Sequence, residues 1–181
     1  MRIPEGITSG RWTLDPTHSE VGFTIRYAGI SKVRGRFTDV ESVISVGPTV
    51  DDSALYAVIQ AVSFDSRDPA RDTHVRSPDF FDVERFPTLG FTATSITGDG
   101  HEFLLTGDLT IRDVTRAVEL SVEYAGTAVD PAGVVRAGFS AETVISRKDF
   151  GLTWNAALEA GGVLVGDKVT IVLDVAFIRS G

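Results

Sequence analysis

Apolar residues recur at every second position in one segment after another, a period that belongs to extended strand and not to helix. Val21, Phe23, Ile25 and Tyr27 fall on one side of a segment whose other side carries Glu20, Gly22, Thr24 and Arg26. The same alternation runs through Phe103, Leu105, Leu109 and Ile111, interrupted at Gly107, and through Val118, Leu120, Val122 and Tyr124. It continues over 139–145 and 169–177, where Val169, Ile171, Leu173, Val175 and Phe177 form an unbroken apolar row. Turn signals separate these runs at short intervals: Asp15-Pro16, Gly47-Pro48, Gly98-Asp99-Gly100, Asp130-Pro131 and Gly161-Gly162. Strands spaced this way predict an all-β antiparallel sandwich or barrel. About eight strands suffice to close a barrel whose interior is either filled or holds one small ligand. One interval differs. Asp68 before Pro69 and Ser77 before Pro78 are helix N-cap signals, so a short helical insert is expected around residues 68–82.

Composition narrows the choice of function. The 181 residues are enough for one core, with no linker or solenoid repeat. The 18 Gly and 7 Pro scattered through the chain exclude a long coiled coil. With 17 Lys+Arg against 25 Asp+Glu the net charge is −8, the wrong sign for tracking nucleic-acid phosphates. The absence of cysteine removes disulfides, thiolate metal sites and thiol nucleophiles together. Residues 1–10 carry no apolar leader pattern, and no run of about 18 apolar residues could span a bilayer. The expectation is a soluble, cytoplasmic protein with a loosely held arm over residues 1–10 and a single barrel domain over 11–181.

Few residues could carry acid–base or nucleophilic chemistry. His18 precedes a strand, His74 lies in the insert beside Asp72, and His101 follows a turn, where solvent is the natural partner. Ser19, His74 and Asp72 make a triad on paper, but no Gly-x-Ser-x-Gly elbow accompanies them. No His-x-His or His-Glu-x-x-His spacing suggests a metal, and no cofactor motif is present. For His18 and His74 a hydrogen-bonded structural imidazole stands beside the catalytic reading. Arg26, Lys32, Arg34 and Arg36 crowd one hairpin; they read either as a solvated face or as a contact for an anionic head group or membrane surface. Phe80, Phe81 and Phe86 must plug a barrel end or line an entrance. Several inward candidates are small (Ala57, Ala61, Ser63, Ala93, Gly107, Ala137), which leaves room inside.

Longer strings point to a family. Trp12-Thr-Leu-Asp-Pro-Thr-His-Ser-Glu-Val-Gly-Phe23, Val33-Arg-Gly-Arg-Phe37, Arg71-Asp-Thr-His-Val-Arg-Ser-Pro-Asp-Phe-Phe-Asp-Val83, Phe86-Pro87, Gly107-Asp-Leu-Thr-Ile-Arg-Asp-Val-Thr115 and Ser146-Arg-Lys-Asp-Phe-Gly151 together resemble the YceI-like family, in order from about residue 10 to 180. The chain departs from the family pattern at Tyr27, where a second His is usual, and at Val75, Asp113 and Ala117, where Leu, Gly and Pro are common. The resemblance implies an extended lipocalin-like antiparallel β-barrel. Its apolar tunnel would hold a long-chain amphiphile: a polyisoprenoid, an isoprenoid quinone or a fatty amide. It also implies a non-enzymatic protein, often a homodimer and often periplasmic. The expected lining is Val21, Phe23, Ile25 and Tyr27, with Ile59, Phe91, Phe103, Leu105, Phe139, Ile171 and Leu173. His18, Arg71 and His74 are candidates for the polar end or for fixing the insert that closes it. Strands of eight to ten residues would give roughly 30 Å of apolar path at about 3.3 Å per residue. The competing readings are a lipid- or ester-acting hydrolase using His18 or His74, and a solid barrel acting through a protein partner surface.

Overall fold

A computed structural model describes residues 1–180. Eight strands close into an antiparallel ring: β1 (Gly10–Leu14), β4 (Val40–Val46), β5 (Ala54–Gln60), β7 (Thr88–Asp99), β8 (Glu102–Ile111), β9 (Val114–Val129), β10 (Val135–Ser146) and β11 (Val165–Ser180). The ring closes between β1 and β11, where Trp12 stands opposite Arg179 and Leu14 opposite Phe177. Three further strands, β2 (Glu20–Tyr27), β3 (Ser31–Phe37) and the two-residue β6 (Phe64–Asp65), hang from the first half of β11 as an apron. β11 therefore pairs with β2 over Val165–Asp174 and with β1 over Phe177–Ser180. The alternating pattern sends one row of each strand inward and the other to solvent.

The break between β1 and β2 is written in the sequence. The Asp15 side chain accepts the Thr17 N–H and opens a one-turn 3-10 helix over Pro16–His18, which turns the chain out of the ring and into the apron. In the insert, Asp68 caps the α-helix α1 (Pro69–Arg76) by accepting from the Ala70 and Arg71 N–H groups, with Pro69 at its first position. Ser77-Pro78 ends it, because the residue before a proline is disfavoured in helical geometry. The chain then makes turns through residues 78–85 and no second helix.

The core divides along the barrel axis. One cluster gathers Leu105, Leu109, Leu120, Phe150 and Leu152; the other gathers Trp12, Tyr124, Ala137 and Phe177. Among the described residues no helix is long and apolar enough to cross a membrane.

Candidate ligand cavity

Between these clusters the inward side chains leave a cavity of about 250 Å³. Its wall includes the β11 row Ile171, Leu173, Val175 and Phe177, together with Leu105 and Leu109 of β8. Among the described residues no Asp, Glu, His, Lys, Arg or Tyr lines it. Three hydroxyl residues do, and each is turned to the backbone: Ser42 donates to the Tyr56 carbonyl at 2.8 Å, Thr143 to the Glu119 carbonyl at 2.7 Å and Ser53 to the Thr49 carbonyl at 3.0 Å. What faces the space is carbon. A group placed there gains burial of apolar surface and finds no hydrogen-bond partner.

The N-terminal residues roof this cavity. Ile3, Pro4 and Ile7 face into it. The Val50 N–H donates to the Met1 carbonyl at 3.0 Å, the Tyr124 hydroxyl to the Glu5 carbonyl at 2.8 Å and the Trp12 Nε1–H to the Thr8 carbonyl at 2.9 Å. Gly6, at φ +89°, passes so close to β9 that a Cβ would sit 2.2 Å from the Thr127 hydroxyl. Residues 1–10, the arm of the sequence reading, thus lie across the mouth as a strap. Its apolar residues have a mouth to cover, and its carbonyls have donors on the rim.

The opposite end is stoppered. Phe23 stacks on Phe64 with centroids 5.4 Å apart, and Phe37 and Phe81 close around Phe64 at 5.8 and 5.9 Å. Gly35 makes room, since a Cβ there would lie 2.4 Å from the Phe23 ring; Gly107 does the same beneath Phe91, at 2.3 Å. Of the expected lining, Val21, Ile59, Phe91, Phe103, Leu105, Phe139, Ile171 and Leu173 face the cavity. Phe23, Ile25 and Tyr27 do not. Beyond Val21, β2 runs down the apron, so Phe23 joins the stopper and Tyr27 is exposed. Of the six small inward candidates only Ala57 borders the space; the Phe91 ring fills the room beside Gly107, and Ala61 and Ala137 are tightly packed. The open path is accordingly shorter than a tunnel running the whole barrel. Missed from sequence were Ile3, Pro4 and Ile7 of the strap and the β4 row Val40, Ser42, Ile44 and Val46, whose alternation is masked by its serine.

The polar candidates stand outside the cavity. His18 Nδ1 lies 2.8 Å from Asp15 Oδ2, with its own side chain largely in solvent. Arg71 donates from Nε to the Ser66 hydroxyl at 2.7 Å and from a terminal nitrogen to the Ser66 carbonyl at 2.8 Å, and the same serine binds the buried Asp72. His74 pairs with Asp79 at 2.8 Å and sets its ring edge-on to Trp154 at 4.5 Å. Arg71 and His74 thus fasten the insert, and His18 fastens the β1–β2 corner. Ser19, meanwhile, is bonded to the Ala176 backbone, so Ser19, His74 and Asp72 each have other partners and do not form a triad. Among the described residues no group of three or more His, Asp or Glu converges as metal ligands would.

Two buried charges, neither of them singled out beforehand, hold the frame. Burial by itself would raise the Asp15 carboxyl, but hydrogen bonds from Arg136, Thr17 and His18 outweigh it and hold the group well below the usual carboxylate range. Arg147 is almost fully buried and donates to the carbonyls of Gly166, Leu152, Trp154 and Val165, tying the loop after β10 to the start of β11. Burial lowers its pKa, partly opposed by the charge of Asp167.

A second, smaller cleft of about 140 Å³ opens between the end of β1, the start of β2 and the turn from β3 to β4. It shares Leu14, Val21 and Val40 with the main cavity, and its rim carries Glu20, Arg36 and Thr38. Those three shared side chains set it against the main cavity as a side window.

The YceI-like domain matches residues 12–177, and protein YceI of Escherichia coli O157:H7 is 38% identical over 138 residues, covering 75% of this chain and 71% of that one. This chain belongs to the YceI-like family. The YceI protein of Campylobacter jejuni, 29% identical, superimposes on it with a TM-score of 0.72 over 93% of this YceI-like chain and 97% of that one. A structure described as a polyisoprenoid binding domain from Saccharophagus degradans shares the fold at a TM-score of 0.68 and 15% identity, over 93% and 98% of the two chains.

Proposed function

We propose that this protein binds the hydrocarbon part of a long-chain amphiphile in its barrel, without catalysing its conversion. The ligand class is a polyisoprenoid, an isoprenoid quinone or a fatty amide, held for transport, storage or sequestration. The observation that carries the reading is the cavity wall: carbon on every side, its few hydroxyls already bonded to backbone, and no titratable side chain facing in. General acid–base catalysis needs such a group within hydrogen-bond reach of the reacting atoms. Family membership supports a lipid-binding barrel, and the Saccharophagus degradans domain, described as polyisoprenoid binding, supports the first of these ligands.

The energetics suit a tail. At about 30 Å³ per water-sized group the space takes roughly eight methylenes. At about 0.8 kcal/mol each they contribute about 6 kcal/mol, offsetting much of what association loses in freedom. A longer chain must displace the strap or leave by the side window. The proposal includes the homodimer that family resemblance implies, which light scattering on the purified protein checks.

Native mass spectrometry of gently purified protein tests the binding. The expected result is a co-purifying lipid of several hundred daltons, absent from an Ala57→Trp variant whose indole fills the cavity. Bare wild-type protein that also fails to take up a fluorescent acyl probe would overturn the reading.

A further inference from the structure

The β2–β3 hairpin carries features that neither the barrel nor its cavity uses. Its turn, Tyr27 to Ile30, has Ala28 and Gly29 both at positive φ (51° and 71°), with the Ile30 N–H donating to the Tyr27 carbonyl; this is the tight primed turn that matches strand twist and holds a rigid apex. At that apex Ile30 is 84% exposed. The Ala28 N–H donates to the Leu164 carbonyl and Val165 stands opposite Tyr27, so the segment that carries exposed Val163 runs against the turn that carries exposed Tyr27 and Ile30. Single exposed apolar residues are ordinary, but three grouped around a projecting turn form a patch.

Behind the apex the outer face of the hairpin is cationic. Arg26 stands directly opposite Lys32, Arg34 follows on the same face of β3, and all three are exposed. None of them has an ion-pair partner among the described residues, whereas Arg36, next in the row, reaches Asp65 at 3.5 Å. Like charges directly across an antiparallel pair destabilise it, so stability does not account for the arrangement. It occurs in a chain whose overall charge is −8. The row leads from the apex to Arg36, on the rim of the side window.

We propose that this hairpin docks the protein on an anionic lipid bilayer. Ile30, Tyr27 and Val163 enter the interface while Arg26, Lys32 and Arg34 contact lipid phosphates. Apolar anchors combined with a few cations are what reversible bilayer attachment requires. The surface lies outside the cavity, so it stands or falls separately from ligand binding.

Sedimentation of the full chain with vesicles tests it, using phosphatidylcholine alone and phosphatidylcholine with about 30 mol% phosphatidylglycerol. Wild type is expected to sediment with the anionic vesicles only, and to be released at about 0.5 M salt. Lys32→Glu with Arg34→Glu should weaken partitioning about tenfold or more, and Ile30→Ser severalfold, with uptake of a fluorescent acyl probe unchanged in each. Arg116→Glu, an exposed cation on β9, should bind as wild type does. Failure of wild type to prefer anionic vesicles, or retention of that preference by the double variant, overturns the proposal. So does salt-sensitive binding to polyglutamate without vesicle binding, which would assign the patch to an acidic polypeptide. Vesicle binding by a protein that takes up no probe would leave docking standing and remove the ligand reading instead.

Discussion

The two ends of this barrel are built from equally greasy strands, yet one is solid and the other hollow. At the α1 end four phenylalanines close on one another, with Gly35 recessed beneath Phe23, and Phe150 belongs to the same core cluster as Phe37 and Phe81. Toward the strap end Phe91, Phe103, Phe139 and Phe177 also face inward, yet with the branched aliphatic residues around them they leave a cavity open, and the roof is a separate segment bearing Ile3, Pro4 and Ile7. Inward hydrophobicity therefore does not decide whether a barrel is full. Whether rings reach across the axis, and whether the facing residue makes way for them, decides it.

Truncation should separate the two ends most sharply. Phe150→Ala, inside the plug, should lose about 3–5 kcal/mol in urea unfolding, whereas Phe103→Ala, which already borders empty space, should lose roughly half as much. Equal losses would mean the hollow end is as tightly packed as the plug. Next in size is the corner where β1 leaves the ring. Asp15→Asn should cost about 2 kcal/mol at neutral pH, because Arg136 loses a charged partner. Since the folded-state pKa of Asp15 is depressed, its contribution is fully present above its unfolded value of about 3.9 and disappears as pH falls through the folded value. An acid titration of stability should thus be flatter in the variant below about pH 4.

A smaller effect belongs to the roof. Ile7→Asp should loosen the strap and speed uptake of a long acyl probe about tenfold in stopped-flow, a change of about 1.4 kcal/mol in barrier, while leaving thermal unfolding nearly where it was. Unchanged uptake would place the ligand's route at the side window. The smallest effect is expected at His18→Ala. Its exposed ring sits beside an aspartate that keeps other donors, so stability should move by no more than about 0.5 kcal/mol and probe affinity not at all.

Strand periodicity and capping made most of the fold legible. The rows at 103–111, 118–124 and 169–177 became β8, β9 and β11, and Asp68-Pro69 marked the start of α1. The cavity was less so, for two physical reasons. A period of two says which side chains point inward but not how far along the axis they stand; Val21 and Phe23 share a face and end in different places. The small residues pointed to empty room, yet a gap beside Gly107 is filled by Phe91, and pairing of that kind depends on contacts across strands that no local pattern records. The strap escaped notice because three apolar residues in a short arm show no period at all.

β11 holds two partners on one flank: seven residues are matched with β2, and four with β1, from Arg11 opposite Ser180 to Leu14 opposite Phe177. That shorter ladder works like the fastening of a collar. Were it unhooked, the throat beneath the strap would widen while the longer ladder kept the rest of the garment buttoned, so any letting-out of girth would start at this seam.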